Sequence, residues 1–142
     1  MMEWLHYTID YGVIGLLVGM SVMALGIGIE RHLTFARVQL QEYDDKKKLE
    51  LELTRGIHVI AIVGSNAPYV GLRGTVLGIM VTFYTMGQSG FMDTGKIMIS
   101  LALALKVTAI GLLVAIPAVA MYNLLLRKVK VLIMQWEIRD GR

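Results

Sequence analysis

Apolar and polar positions alternate along this chain in long blocks rather than residue by residue. Tyr11 to Ile29 contains no charged side chain, Ala67 to about Met86 contains only Arg73, and Ile97 to about Leu126 contains only Lys106. A helix needs about 20 mostly apolar residues to cross roughly 30 Å of hydrocarbon, so the three blocks predict three membrane-spanning helices. Gly87 to Gly95, rich in glycine and turn formers, is the short connection between the last two. Between the first two, Glu30 to about Val63 reads as helix. Leu49, Leu51 and Leu53 alternate with Glu50 and Glu52 in the manner of a strand, yet a lone strand has no partner, and Glu, Lys and Leu favour helix. Val129, Leu132, Ile133 and Trp136 recur at helical spacing, which extends the third helix beyond the membrane as an amphipathic arm.

The expected class is an all-α integral membrane protein, with three transmembrane helices and cytoplasmic helical extensions in one domain. Its expected segments are 1–10, an outer N-terminus; 11–29, span one; 30–66, a cytoplasmic segment; 67–86, span two; 87–96, an outer loop; 97–126, span three; and 127–142, a cytoplasmic tail. Composition agrees with a membrane location. Of the 142 residues, 56% are hydrophobic, above the usual share for a soluble domain, and the mean hydropathy is +0.62. The absence of cysteine removes disulfides and thiolate metal sites.

Charge placement predicts direction. Arg31, Arg37, Lys46, Lys47, Lys48 and Arg55 follow span one, and Arg127, Lys128, Lys130, Arg139 and Arg142 follow span three. The N-terminal flank has Glu3 and Asp10 and no Lys or Arg, and the second connection has only Lys96. The positive-inside rule then places the N-terminus and the 87–95 loop outside, with the middle segment and tail in the cytoplasm. The same acidic flank, with no small-residue cleavage site after it, argues against a cleaved signal peptide. The net charge of +3 comes from bases beside spans, where lipid headgroups are the expected neighbours, and no aromatic interleaving points to nucleic acid.

Two stretches carry candidate chemistry, each centred on a threonine among small residues. Span three places Ser100, Ala104, Thr108, Gly111 and Ala115 at steps of four, four, three and four, which is one stripe on a helix. Span two offers Gly71, Gly74 and Gly78, with Thr75 on a neighbouring meridian, and span one adds the GxxxG pair Gly15 and Gly19. Such spacing by itself means close helix packing. A membrane threonine ordinarily bonds its own i−4 carbonyl. The buried charges point further, because ionisable residues inside a membrane face a bundle interior or a wet cavity. Arg73 lies about 9 Å from the cytoplasmic end of span two and Lys106 about 14 Å into span three, at 1.5 Å per residue. No carboxylate lies inside any span, so Asp10, Asp93 or another subunit must supply any counter-charge for Lys106. Lys106 points about 200° from Thr108. Pro117 frees a carbonyl inside span three and permits a kink, and Pro68 fits the first turn of span two.

Other chemistry finds little support. His6, His32 and His58 stand without a second ligand at helical spacing, so no metal site is expected. Neither Gly71-x-x-Gly74 nor Gly26-Ile27-Gly28 has phosphate-loop spacing. No nucleophile, base and acid occur in a usable set, so no enzyme active site and no cofactor are expected.

The stretch Ala67-Pro68-Tyr69 through Gly71-Leu72-Arg73-Gly74-Thr75-Val76-Leu77-Gly78-Ile79-Met80 resembles span two of the ExbB/TolQ/MotA family of proton-channel subunits. Thr108-Ala109-Ile110-Gly111-Leu112, Ala115-Ile116-Pro117-Ala118 and Tyr122-Asn123 resemble its span three. The similarity is greatest to the ExbB branch. It implies a pentameric ring of identical subunits in a Gram-negative inner membrane, around the membrane helices of ExbD, which would bring a titrating aspartate. It further implies that Thr75 and Thr108 line the proton path, and that proton flow energises TonB for uptake through outer-membrane receptors. Two positions depart from the family pattern: Leu103 stands where many relatives have glutamate, and Lys106 where they are apolar. Lys106 is therefore expected at a subunit or partner contact, and Arg73 stands where close relatives are often apolar. The MotA branch has a fourth span and a larger cytoplasmic domain, so a MotA-like flagellar stator is not expected. A TolQ-type subunit of the Tol-Pal system, a purely structural helical protein and a self-sufficient channel remain alternatives.

Overall fold

The computed structural model describes residues 3–90 and 93–140, so Phe91 and Met92 of the 87–96 loop and Arg142 of the basic tail lie outside the described residues. Four helices account for most of the chain: α1 (Glu3–Arg37), α2 (Lys46–Leu53), α3 (Ile57–Ser89) and α4 (Thr94–Asp140), with a 3-10 turn at Leu40–Glu42 between α1 and α2. Among the described residues there is no strand. α1, α3 and α4 are each long and apolar enough to cross a membrane.

The segment expected as one helix from Glu30 to Val63 is broken twice. α1 stops at Arg37, and α2 restarts where the Asp45 carboxylate accepts a hydrogen bond from the Lys47 N–H at 3.0 Å, an N-cap. The second break is Gly56, whose φ of +79° is left-handed and suits glycine. α3 begins one residue later, so Pro68 sits deep inside α3 rather than in its first turn. Its ring removes the donor that Gly64 O would otherwise receive. Gly90, at φ +67°, ends α3 and returns its N–H to Met86 O at 3.1 Å. α4 runs through Pro117 without interruption, a length of about 70 Å at 1.5 Å per residue.

α3 and α4 are antiparallel and pack along their length, with α1 against both. α1 presents one stripe inward: His6, Asp10, Val13, Leu17, Met20, Ala24, Gly28, Arg31 and Phe35 are buried or half-buried, while Tyr7, Tyr11, Val18 and Val22 are exposed. The apolar outer faces, such as Leu113 and Ile116 of α4, suit hydrocarbon rather than water.

At the end where α1 stops and α3 starts, a compact core forms from Phe35, Leu49, Leu53, Ile57, Ile60, Val129, Leu132 and Trp136. Leu49 and Leu53 are buried while Leu51 is 73% exposed, the i,i+4 signature of helix and not of a strand. Trp136 donates from Nε1 to Tyr43 O at 2.8 Å, which satisfies its one polar atom. Arg31 is 3% exposed and donates to Glu52 O at 2.9 Å and to Glu30 Oε1 at 3.0 Å, tying α1 to the end of α2. On the surface Lys46 pairs with Glu137, and that hydrogen bond raises the lysine above its ordinary pKa.

Candidate functional site

Glycine decides how closely α3 and α4 approach. A Cβ placed on Gly111 would lie 2.8 Å from Ala67 O and 3.1 Å from Gly71 Cα, and one on Gly71 would lie 3.0 Å from Val107 O. Gly74 faces Val107 and Val13, and Gly78 faces Ala104. The Gly71 and Gly111 contacts are backbone to backbone, while Gly74 and Gly78 make room for neighbouring side chains, the arrangement small residues permit inside a bilayer. Gly71, Gly74, Gly78, Ala104, Gly111 and Ala115 are buried, and Ser100 and Thr108 are half-buried. Gly15 and Gly19 behave differently: both are exposed, and nothing lies within 4 Å of a Cβ on either. The GxxxG pair of span one is thus not a packing contact within this chain, because α1 turns its Val13–Leu17–Ala24 side to its neighbours.

The close approach brings the two threonines together. Thr75 is 6% exposed, and its Oγ1 lies 2.9 Å from Ala104 O on α4 but 3.4 Å from Gly71 O, its own i−4 carbonyl. Thr82 and Thr85 on the same helix instead bond back to Gly78 O at 2.9 Å and Val81 O at 2.7 Å. Thr75 has therefore turned across the interface, against the usual habit of a membrane threonine. Its hydroxyl is also hydrogen-bonded to the Thr108 hydroxyl.

A hydroxyl has one proton and two lone pairs, which fixes the order of the chain. Thr75 gives its proton to the short Ala104 contact. Thr108 then donates to Thr75, since its other acceptor, Gly71 O, is 3.4 Å away. The lone pairs of half-buried Thr108 are left for a group arriving from outside the protomer. That group can be water or a protonated carboxyl, and by turning its own proton outward Thr108 can also serve a carboxylate. Thr75 ends the chain on a backbone carbonyl and so anchors Thr108, whose hydroxyl can hold a water or a carboxyl group without titrating.

Neither α3 nor α4 brings a carboxylate beside the threonine pair. α3 contains no Asp or Glu, and those of α4 are Glu137 and Asp140 near its C-terminus. Arg73 and Lys106 are exposed and make no hydrogen bond or ion pair among the described residues. Each precedes its threonine by two residues, about 200° around the helix, so both point away from the α3–α4 contact. Arg73 lines a shallow apolar groove with Val13, Leu16, Val70, Val76 and Leu77. Leu103 is exposed at 47%. Pro117 faces a groove between α1 and α4 shared with Ser21 and Met121. Among the described residues no cluster of His, Asp or Glu is arranged to hold a metal.

One further polar contact joins α1 to α3. His6 Nε2 lies 3.5 Å from Thr82 Oγ1, beneath a buried threonine on α3. The signal was present in the spacing 6, 10, 13, 17, 20, 24, which continues the inward stripe of α1 to its first turn.

Comparison with known proteins places this arrangement among relatives. Residues 28–138 match the model of the MotA/TolQ/ExbB proton channel family. The chain is 51% identical over 141 residues to the biopolymer transport protein ExbB of Aquifex aeolicus, covering 99% of this chain and 95% of that one. It is 52% identical over 130 residues to the putative biopolymer transport protein ExbB-like 2 of Helicobacter pylori, covering 92% and 87%. Its similarity to ExbB of Neisseria gonorrhoeae is 46% over 77 residues, 54% of this chain and 35% of that one.

Proposed function

We propose an ExbB-type energising role for this chain, which belongs to the MotA/TolQ/ExbB proton channel family. It is a membrane transport component with the helical architecture that family membership calls for. Its near full-length similarity to proteins named ExbB favours the ExbB branch over the TolQ branch. On this reading the chain forms a ring, pentameric as the family resemblance implies, in the inner membrane of a Gram-negative bacterium. Its N-terminus faces the periplasm and its C-terminus the cytoplasm. The ring surrounds membrane helices of ExbD, and proton flow moves one against the other to energise TonB for uptake through outer-membrane receptors.

The observation that supports this best is the Thr108-to-Thr75-to-Ala104 hydrogen-bond chain. It leaves the lone pairs of half-buried Thr108 unengaged at a depth where neither α3 nor α4 carries a carboxylate. A proton site needs a titrating group, and ExbD is the proposed source of it. A purely structural role accounts for the interhelical Thr75-to-Ala104 bond and makes no use of the unengaged lone pairs of Thr108. Replacing Thr108 with Val keeps the shape and deletes the hydroxyl. The expected result is loss of siderophore-dependent growth with complex assembly intact, whereas undiminished growth with a stable complex supports the structural alternative.

Arg73 and Lys106 belong, on this reading, to contacts with neighbouring subunits or partner chains, because each is exposed at membrane depth without a counter-charge. Lys106→Met is expected to weaken assembly with partner chains, read as complex yield in mild detergent. Unchanged yield together with full transport removes the contact role.

A further inference from the structure

The unassigned polar groups of this fold gather at the end of the bundle where α1 begins. His6 and Asp10 are one turn apart on the inward stripe of α1, half-buried, while Tyr7 and Tyr11 between and beyond them are exposed. Residues at i and i+4 share a helix face, with about 5–6 Å between their Cβ atoms. The stripe continues to Val13, whose Cγ1 lies 3.2 Å from where a Cβ on Gly74 would sit. Gly74 immediately precedes Thr75. Asp10 is therefore about one helical turn outward from the level of the threonine pair, and it is the carboxylate of this chain placed nearest that level on an inward face.

The geometry also settles the role of His6. Thr82 spends its single proton on Gly78 O at 2.9 Å, so toward His6 it has only lone pairs to offer. The 3.5 Å contact then has Nε2–H of His6 as donor. In this assignment Nε2 carries the proton and Nδ1 is the basic nitrogen. Thr82 is a positioning residue. Its proton ends on a backbone carbonyl, so protons do not pass through it.

We propose that His6 and Asp10 form the proton-loading pair on the outer side of the threonine site, a role that rests on the proton-channel reading above. Nδ1 of His6 takes a proton from external water to give the imidazolium, with Nε2–H still held by Thr82. That proton then passes from Nδ1, directly or through one water, to an Asp10 carboxylate oxygen, regenerating the neutral imidazole and giving a neutral carboxylic acid. Asp10 in turn gives it up inward to the partner carboxylate, directly or through a water held on the unengaged lone pairs of Thr108, and returns to the carboxylate form. No atom beyond the proton changes place. The other titratable groups at this end are few. α3 contributes only Tyr84 on its outer turns, and it is exposed. α4 contributes Asp93, whose Oδ1 accepts from the Gly95 N–H at 3.0 Å and the Lys96 N–H at 3.4 Å, and exposed Lys96.

The test is proton flux in liposomes holding the full chain with its co-purified membrane partner, as a function of external pH. Asp10→Asn, Asp10→Glu, His6→Gln and Thr108→Val are compared after complex assembly is confirmed for each. Asp10→Asn is expected to reduce flux about tenfold or more, the lower range for removing a positioned acid–base group. Asp10→Glu is expected to retain most of it. His6→Gln keeps a donor to Thr82 but cannot titrate, so flux should fall and lose its dependence on external pH. If Thr108→Val abolishes flux while Asp10→Asn and His6→Gln leave both its size and pH profile unchanged, the loading pair is refuted and the threonine site stands. If Thr108→Val also leaves flux unchanged, the proton-channel reading fails with it.

Discussion

At Thr75 a choice between two acceptors carries more information than the residue's presence. Its own helix offers Gly71 O at 3.4 Å and the neighbouring helix offers Ala104 O at 2.9 Å, and the shorter bond crosses the interface. That crossing requires backbones in contact, which Gly71 and Gly111 supply. Gly111→Ala puts a methyl 2.8 Å from a backbone carbonyl that cannot rotate away. The expected cost is about 1–3 kcal/mol of overpacking, seen as a lower melting temperature in detergent, together with loss of proton flux as the threonines separate. Gly15→Ala meets nothing within 4 Å and serves as the control that should leave the melting temperature of the isolated chain near wild type.

Among the elements, the three long helices and the small-residue stripe of α4 are legible in the sequence because hydrophobic length and i,i+3/i+4 spacing are local properties. Breaks in the 30–63 segment are harder to read. They depend on Asp45 as a cap and on Gly56 at positive φ, and neither interrupts the run of helix-forming residues around it. Burial of Arg31 was equally hidden, since a basic residue just beyond a span reads as an orientation signal. Its real partners, Glu52 O and Glu30, depend on how α2 folds back. Trp136 shows the energetic weight of that folded-back end: it is 1% exposed and sits among Phe35, Leu49 and Leu53 of the same core. Trp136→Ala is expected to cost about 3–5 kcal/mol and to free the α2 region, measured as faster amide exchange across residues 46–53. Exchange unchanged there would mean α2 is held by other contacts.

For the whole molecule, what is missing at the site matters as much as what is present. Two threonines on adjacent helices are hydrogen-bonded to each other, with the lone pairs of Thr108 unengaged, and two cations flank them on outer faces. No carboxylate of α3 or α4 lies at that depth. Sequence alone supplied the threonines and the missing charge, while the direction of the hydroxyl chain and the inward placement of His6 and Asp10 needed the packed helices. On the proposed reading, a second chain completes the proton site by bringing a titrating group to Thr108. Proton flux measured in liposomes with and without the co-purified membrane partner tests this most directly. The predicted result is no flux above background from this chain alone, flux when the partner is present, and its loss in Thr108→Val with the partner bound. Proton flux from this chain by itself, or full flux from Thr108→Val in the intact complex, would contradict it.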